Sequence, residues 1–318
     1  MLLEWEIVVQ TLIFGISTGA IYALIALGYT LVYGIIELIN FAHGDLFMLG
    51  TFASLTVLEW TITRSDHLPV PPWLGLFLAL VIPMVFCAVA NVLIERVAYR
   101  RLRNAPRLAP LISAIGMSFI LINIGLWWRG ATPQSFPLLL NVFGTENWVN
   151  TIFGPEVGSQ IAVRTKDLFV ILVTVPLLFL LNFVVFRTKI GKAMRATAQD
   201  REASALMGIN VNRTIAFTFL IGGALAGAAG LIFGLYTGSS SFLRGFDSGL
   251  KAFTAAVLGG IGNLSGAVLG GFIIGIVGAF SDLWLGNNWT NATIFAILII
   301  ILVFRPSGLL GEQTVEKV

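Results

Sequence analysis

Charge is what this sequence has least of. Only 11% of its 318 residues are Asp, Glu, Lys or Arg, where a soluble globular domain carries about 25%. So few charges cannot cover the surface of a water-soluble chain of this length, and 57% of the residues are hydrophobic. Cysteine is reduced to Cys87, which excludes a disulfide framework and a thiolate metal centre. The two histidines, His43 and His67, have no Cys or His at metal-ligand spacing. There is no Gly-x-x-x-x-Gly-Lys-Ser/Thr loop, so this chain is not expected to hydrolyse ATP itself. The Gly-rich run 222–230 follows no strand and lies in an apolar stretch, which reads as close helix packing rather than a dinucleotide site. No cluster of catalytic polar residues supports an enzyme.

What is present is apolar length. Stretches free of Asp, Glu, Lys and Arg cover 7–36, 46–58, 68–94, 108–128, 168–186, 214–243, 252–281 and 283–304. Most reach the roughly 20 residues a spanning helix needs. The 46–58 stretch does so only if extended back through Gly44 and Asp45. With 34 glycines and 24 phenylalanines, the composition suits helices whose backbones approach closely in lipid. The start of the chain, Met1-Leu2-Leu3-Glu4-Trp5-Glu6, lacks a basic n-region and leads into a long apolar run, so it reads as a first transmembrane helix and not a cleaved leader. The expected fold is therefore an all-α integral membrane protein in one domain, 1–318, with about eight transmembrane segments and a lipid bilayer as its surroundings.

The net charge of +3 does not point to nucleic acid, because the basic residues lie between apolar stretches. Five arginines fall in 95–107, six Lys or Arg in 187–213, and Arg305 and Lys317 in the tail. The positive-inside rule puts these three regions in the cytoplasm. The acidic start and the 129–167 loop then lie outside, and Trp127-Trp128 reads as an outer interfacial belt. With the last helix running inward to Arg305, residues 250–285 must start and finish outside. Gly259-Gly260-Ile261-Gly262-Asn263 offers the turn, so a short descending segment (251–261) and a returning helix (264–284) are expected. Glu37 to Asp45 makes a similar break in the first half. Broken backbone at membrane depth must face protein or a water-filled cavity, and paired Gly-interrupted segments point to a substrate path.

Those breaks carry polar groups. Asn40 or Asp45 can cap the following helix, and the segment Asn40, His43, Gly44 and Asp45 can form a gate at the cytoplasmic end of a path; the two roles are compatible. Asn263, after Gly259, Gly260 and Gly262, can likewise cap or line. Asn91, Asn123 and Asn182 read as hydrogen-bonding glue between helices. In the longest basic connection, 192–207 are good helix formers and Gly208 is placed as the stop.

Glu202-Ala203-Ser204-x-x-x-Gly208 resembles the E-A-A-x-x-x-G loop of ABC importer permeases. Asn40-Phe41-Ala42-His43-Gly44-Asp45-Leu46-Phe47-Met48-Leu49-Gly50 and Leu258-Gly259-Gly260-Ile261-Gly262-Asn263-Leu264-Ser265-Gly266-Ala267 resemble segments of the branched-chain amino acid (LivH-type) permeases, as do Arg195-Ala196 and Gly208-Ile209-Asn210. The likeness runs from about Gly19 to Gly311, with 59–72 and 130–167 unmatched. It implies a multi-pass permease of the bacterial cytoplasmic membrane, with 187–213 as a cytoplasmic coupling loop. Arg195, Glu202, Ala203 and Gly208 would serve ATPase coupling. Asn40, His43, Gly44, Asp45, Gly259, Gly260, Gly262 and Asn263 would serve the path and gate. It also implies a second homologous permease subunit, two ATP-binding subunits and a solute-binding protein outside, with no cofactor bound by this chain. The rival substrate is urea or a short amide. The rival class is an independent secondary transporter or channel, which does not require the 187–213 loop and usually places Asp, Glu or Arg in its spans.

Overall fold

A computed structural model describes residues 2–63, 70–103, 105–106, 108–137, 151–153 and 161–311. Seven helices among them are long and apolar enough to cross a membrane: Trp5–Ile36, Pro72–Leu102, Leu108–Arg129, Thr165–Arg187, Val211–Thr237, Leu264–Trp284 and Asn287–Phe304. They correspond to α1 (Leu2–Ile36), α3 (Pro72–Ile94 with its irregular extension), α4 (Leu108–Arg129), α5 (Thr165–Arg187), α8 (Val211–Thr237), α10 (Leu264–Trp284) and α11 (Thr290–Phe304). Two shorter helices complete the bundle. α2 (Ala42–Leu58) has 17 residues and runs on as a π-helical turn, Glu59–Thr63. α9 (Arg244–Gly259) has 16, about 24 Å at 1.5 Å per residue, less than the roughly 30 Å of a hydrocarbon core. The eight expected segments thus resolve into seven long helices plus the broken pair α2 and α9. α9 starts at Arg244 rather than near 251, and its first turns carry Arg244 and Lys251 paired with Asp247 along one helical face.

α8 lies at the centre and packs against α1, α2 and α3. α1 runs antiparallel to α10 in close contact. A Cβ on Gly19 would come 2.8 Å from the Phe272 Cα, and one on Gly271 would meet Ala23, so small residues set this separation. Asn91 holds three elements together. Its Nδ2 donates to the Phe219 carbonyl of α8 at 2.7 Å, and its Oδ1 accepts from Asn40 at 3.4 Å. Asn123, by contrast, donates to Phe119 of its own helix at 2.8 Å, because its exposed face has no neighbouring helix to bond. At the end of α4, Trp127 is 89% exposed, while Trp128 packs edge-on to Phe52 and Phe86. Arg129 pairs with Glu59 at 2.9 Å. Two short antiparallel ribbons join the same side: β1 (Gln134–Ser135) with β4 (Ser239–Ser240), and β2 (Thr151–Phe153) with β3 (Val163–Arg164). His67 and much of the 130–167 stretch lie outside the described residues.

The basic connection holds two helices where the composition predicted one. α6 (Lys189–Gln199) starts on a Thr188 cap, and α7 (Arg201–Leu206) starts on an Asp200 cap. Asp200 is extended (φ −157, ψ 115), and its carboxylate accepts from the Glu202 and Ala203 backbone N–H groups at 2.8 and 2.9 Å. Aspartate is a weak helix interior and a strong N-cap, so the run divides there.

Candidate translocation and coupling site

The first break turns at the inner end of α1 and does not stay there. Glu37 takes a positive φ of 54, and residues 38–41 then climb back beside α1. α2 begins with the His43 ring 4.8 Å from that of Tyr29, edge-on, and a Cβ on Gly28 would collide with that ring. Tyr29 precedes the end of α1 at Ile36 by two helical turns, about 10 Å. The residues expected at a cytoplasmic gate therefore lie deeper than the inner face. Asn40 is buried, donates to Asn91 and accepts from the Tyr99 hydroxyl at 3.0 Å. Asp45 is 1% exposed and accepts a short hydrogen bond from Ser118 of α4. Neither caps α2, whose start makes no side-chain cap hydrogen bond. Both instead tie α2 to other helices.

The second break is a turn held from outside itself. Gly260 and Gly262 have φ of +107 and +94, values that L side chains rarely adopt. Asn263 caps α10, accepting from Gly266 N at 3.0 Å. The segment after α11 folds back onto the turn. Leu309 N donates to Leu258 O and Leu310 N to Gly259 O, each at 2.9 Å, and Asn263 Nδ2 donates to Leu310 O at 2.8 Å. These bonds satisfy the last carbonyls of α9, which the helix itself leaves unpaired. Leu309 and Leu310 lay outside every motif read from the sequence; only the apolar Leu-Leu pair between Gly308 and Gly311 signalled them.

The contacts place the two breaks at opposite ends of α9. Gly44 and Asp45 lie against Gly245 and Gly249, while the 259–263 turn lies against Gly34, Gly308 and Gly311. The basic connection reaches both. A cavity of about 560 Å³ is lined by Gly34 of α1 and Glu37 of the first break, by Ile261, Gly262 and Asn263 of the second, and by Met194 and Arg195 of α6. A second, of about 330 Å³, is lined by Glu37 and Leu38, by Tyr99 and Arg103, and by Asp200, Arg201 and Glu202. Arg201 donates to the Ile35 carbonyl at 2.8 Å, joining α7 to the end of α1. Arg103 pairs with buried Glu95 and donates to Asn212 at 2.7 Å. Burial pulls its guanidinium below the usual arginine value, and Glu95 opposes that shift.

Gly208 ends α7 with φ +83. Ile209 N donates to Ser204 O and Gly208 N to Ala205 O, both at 3.0 Å, the paired bonds of a Schellman stop. The stop leaves Leu206 and Met207 at the tip, 89% and 83% exposed. Among the described residues no group of three His, Cys, Asp or Glu is arranged to hold a metal ion.

A family profile described as the branched-chain amino acid transport system permease component matches residues 11–303. The chain belongs to that permease family. The permease is 40% identical over 97% of both chains to a high-affinity branched-chain amino acid transport system permease protein, BraD, of Pseudomonas aeruginosa. It is 39% identical over 97% of both chains to LivH of Escherichia coli, which carries the same description. A probable branched-chain amino acid transport permease protein of Methanocaldococcus jannaschii is 28% identical over 72% of this chain and 64% of its own. No solved structure matches. The relatives are transport permeases, and the permease is a multi-pass inner-membrane protein of that kind, not an enzyme.

Proposed function

We propose that the permease is the membrane subunit of an ABC importer for branched-chain amino acids. In this reading it pairs with a second homologous permease, two ATP-binding subunits and a solute-binding protein outside, and binds no cofactor itself. One observation carries the coupling role: α7 presents an exposed apolar tip, Leu206 and Met207, and its other end bonds the end of α1 through Arg201. A push on that tip moves the wall between the two cytoplasmic cavities. Arg195, Glu202, Ala203 and Gly208 thus belong to coupling. Asn40, His43, Gly44, Asp45, Gly259, Gly260, Gly262 and Asn263 belong to the path and its gating. The names of the relatives favour branched-chain amino acids over urea or short amides.

The test is reconstitution. The permease is purified with its co-expressed partners, placed in proteoliposomes and supplied with ATP and loaded binding protein. Uptake of radiolabelled leucine, isoleucine and valine, dependent on ATP, is expected. Uptake of urea in place of all three, or uptake without ATP, would overturn the proposal.

A further inference from the structure

α9 carries a charged strip at membrane depth. The turn that follows it lies against Gly34, through Gly262, near the inner end of α1. Counting back from Gly259 along the helix, Lys251 stands about 12 Å and Asp247 about 18 Å from that turn, within a hydrocarbon core of roughly 30 Å. The Lys251 ammonium pairs with Asp247 Oδ2 at 3.2 Å, and the Arg244 guanidinium reaches the same oxygen at 4.0 Å. Among the described residues neither base has a second acid within 4 Å, so one carboxylate serves two cations and the strip keeps a positive charge. Asp247 Oδ1 receives only a long bond, 3.3 Å, from Asn291. The strip is open: the Arg244 and Asp247 side chains are 45% and 35% exposed. An apolar strip adjoins it. Phe246 is exposed, and Leu250, three residues after Asp247 and so beside it on the helix, lines a groove between α9 and α4 with Phe119 and Phe253. The outward side of α5, by contrast, shows Leu172, Phe179 and Phe183. Lipid tails do not solvate ion pairs, and charges at this depth face protein or a water-filled path.

We propose that the outward face of α9 is a wall of the translocation path, closed on its far side by the second permease, where Arg244 and Lys251 take the carboxylate of an amino acid, Asp247 its ammonium, and Phe246 and Leu250 its aliphatic side chain. The inference rests on the importer reading above and adds the place and chemistry of recognition. The carboxylate is the second anion that the two bases lack, and a guanidinium holds it through paired, charge-assisted hydrogen bonds. The ammonium replaces at Asp247 the cation that the carboxylate draws away. The two strips thus lie side by side as the charged and aliphatic ends of the amino acid do. Urea and short amides carry neither charge and leave the ion pairs as they stand.

The test uses the whole complex in lipid nanodiscs, where a water-soluble reagent reaches both faces, with Cys87→Ser to remove the native thiol. Leu250→Cys on the wall and Leu172→Cys on the apolar outward side of α5 are labelled with an anionic methanethiosulfonate. A thiol in hydrocarbon stays protonated and unreactive, so position 250 is expected to react about 10-fold faster or more, the ratio that one pKa unit gives. Leucine uptake in proteoliposomes then reads the charges. Asp247→Asn and Arg244→Gln should each lower maximal uptake about 10-fold, the scale of one charge-assisted contact. The half-saturating concentration of loaded binding protein and the thermal midpoint of the complex should not change. Where Asp247→Asn fails to co-purify with the ATP-binding subunits, Asp247→Asn with Lys251→Gln takes its place, with the same expectation. Equal labelling at 250 and 172 overturns the wall, and wild-type uptake in both charge variants overturns the recognition; either leaves the importer reading standing. An uptake loss matched by a lower thermal midpoint in both variants assigns the ion pairs to stability and overturns the recognition as well. A wild-type complex that takes up none of leucine, isoleucine and valine overturns the importer reading itself.

Discussion

Replacing Gly208 isolates the backbone strain at the tip of α7. At φ +83 a Cβ on this residue would meet nothing within 4 Å, so crowding contributes no term. What remains is the left-handed conformation, which costs an L-residue about 1–2 kcal/mol, with a β-branched residue at the upper end or beyond. Relaxing that strain means giving up the two Schellman bonds, Ile209 N to Ser204 O and Gly208 N to Ala205 O, each worth about 0.5–1.5 kcal/mol net. Either route makes the native tip of Leu206 and Met207 roughly 5- to 30-fold less populated in Gly208→Val. The bundle should remain folded, because the site is exposed and far from the core. Gly208→Asn should lose much less, since asparagine tolerates this region. The assay is substrate-stimulated ATP hydrolysis and leucine uptake in the reconstituted complex, with co-purification of the ATP-binding subunits as a check on docking. Expected is loss of coupling or of docking in Gly208→Val and near-normal behaviour in Gly208→Asn. Wild-type coupling in Gly208→Val with the ATP-binding subunits still bound would refute the reasoning.

Further predictions concern the bundle and its orientation. In right-side-out vesicles, Arg101→Cys and Lys192→Cys should resist an impermeant thiol reagent and Asn288→Cys should react; labelling of position 101 from outside would invert the topology. Asn91→Leu removes the bonds to Phe219 and Asn40 and should lower stability in detergent by about 0.6–1.7 kcal/mol, the range for hydrogen bonds between membrane helices, read as a lower thermal midpoint. Gly308→Ala would place a Cβ 2.6 Å from the Gly260 backbone. It should detach the segment carrying Leu309 and Leu310, and faster protease cleavage near residue 310 in intact detergent-solubilised complex would report it. Unchanged cleavage would show that this segment is held by other means.

The long helices were legible because hydrocarbon demands one property, apolar length, that a sequence displays directly. The 250–285 turn was legible by parity, since the arginine-rich connections left no other route for the chain. The split of the coupling run at Asp200 was not, because helix propensity averaged over 192–207 hides a single strong cap. Nor was the depth of α2. Charge patterns report on which side a break lies, not how far the chain re-enters, and the positive φ at Glu37 carries no residue signature. Asn263 could be read as a cap from its position before Leu264, whereas Asn40 could not be assigned to Asn91 and Tyr99, because those partners are 51 and 59 residues away. The expected residues of the path are present at two separate places, and the helix that links them, α9, is the element that sequence reading shortened.

The backbone bonds from Leu309 and Leu310 to the end of α9 carry a consequence for biosynthesis. The hairpin of α9 and α10 enters the membrane while its inner turn still lacks these partners. The carbonyls of Leu258 and Gly259 stay unmatched until α11 has been inserted and the ribosome has extruded residues 308–311. The re-entrant turn therefore matures only after α11 and residues 308–311 have been made. A nascent chain stalled within α11 would carry an open, proteolytically recognisable turn, which gives quality control in the membrane a means to tell a finished permease from an interrupted one.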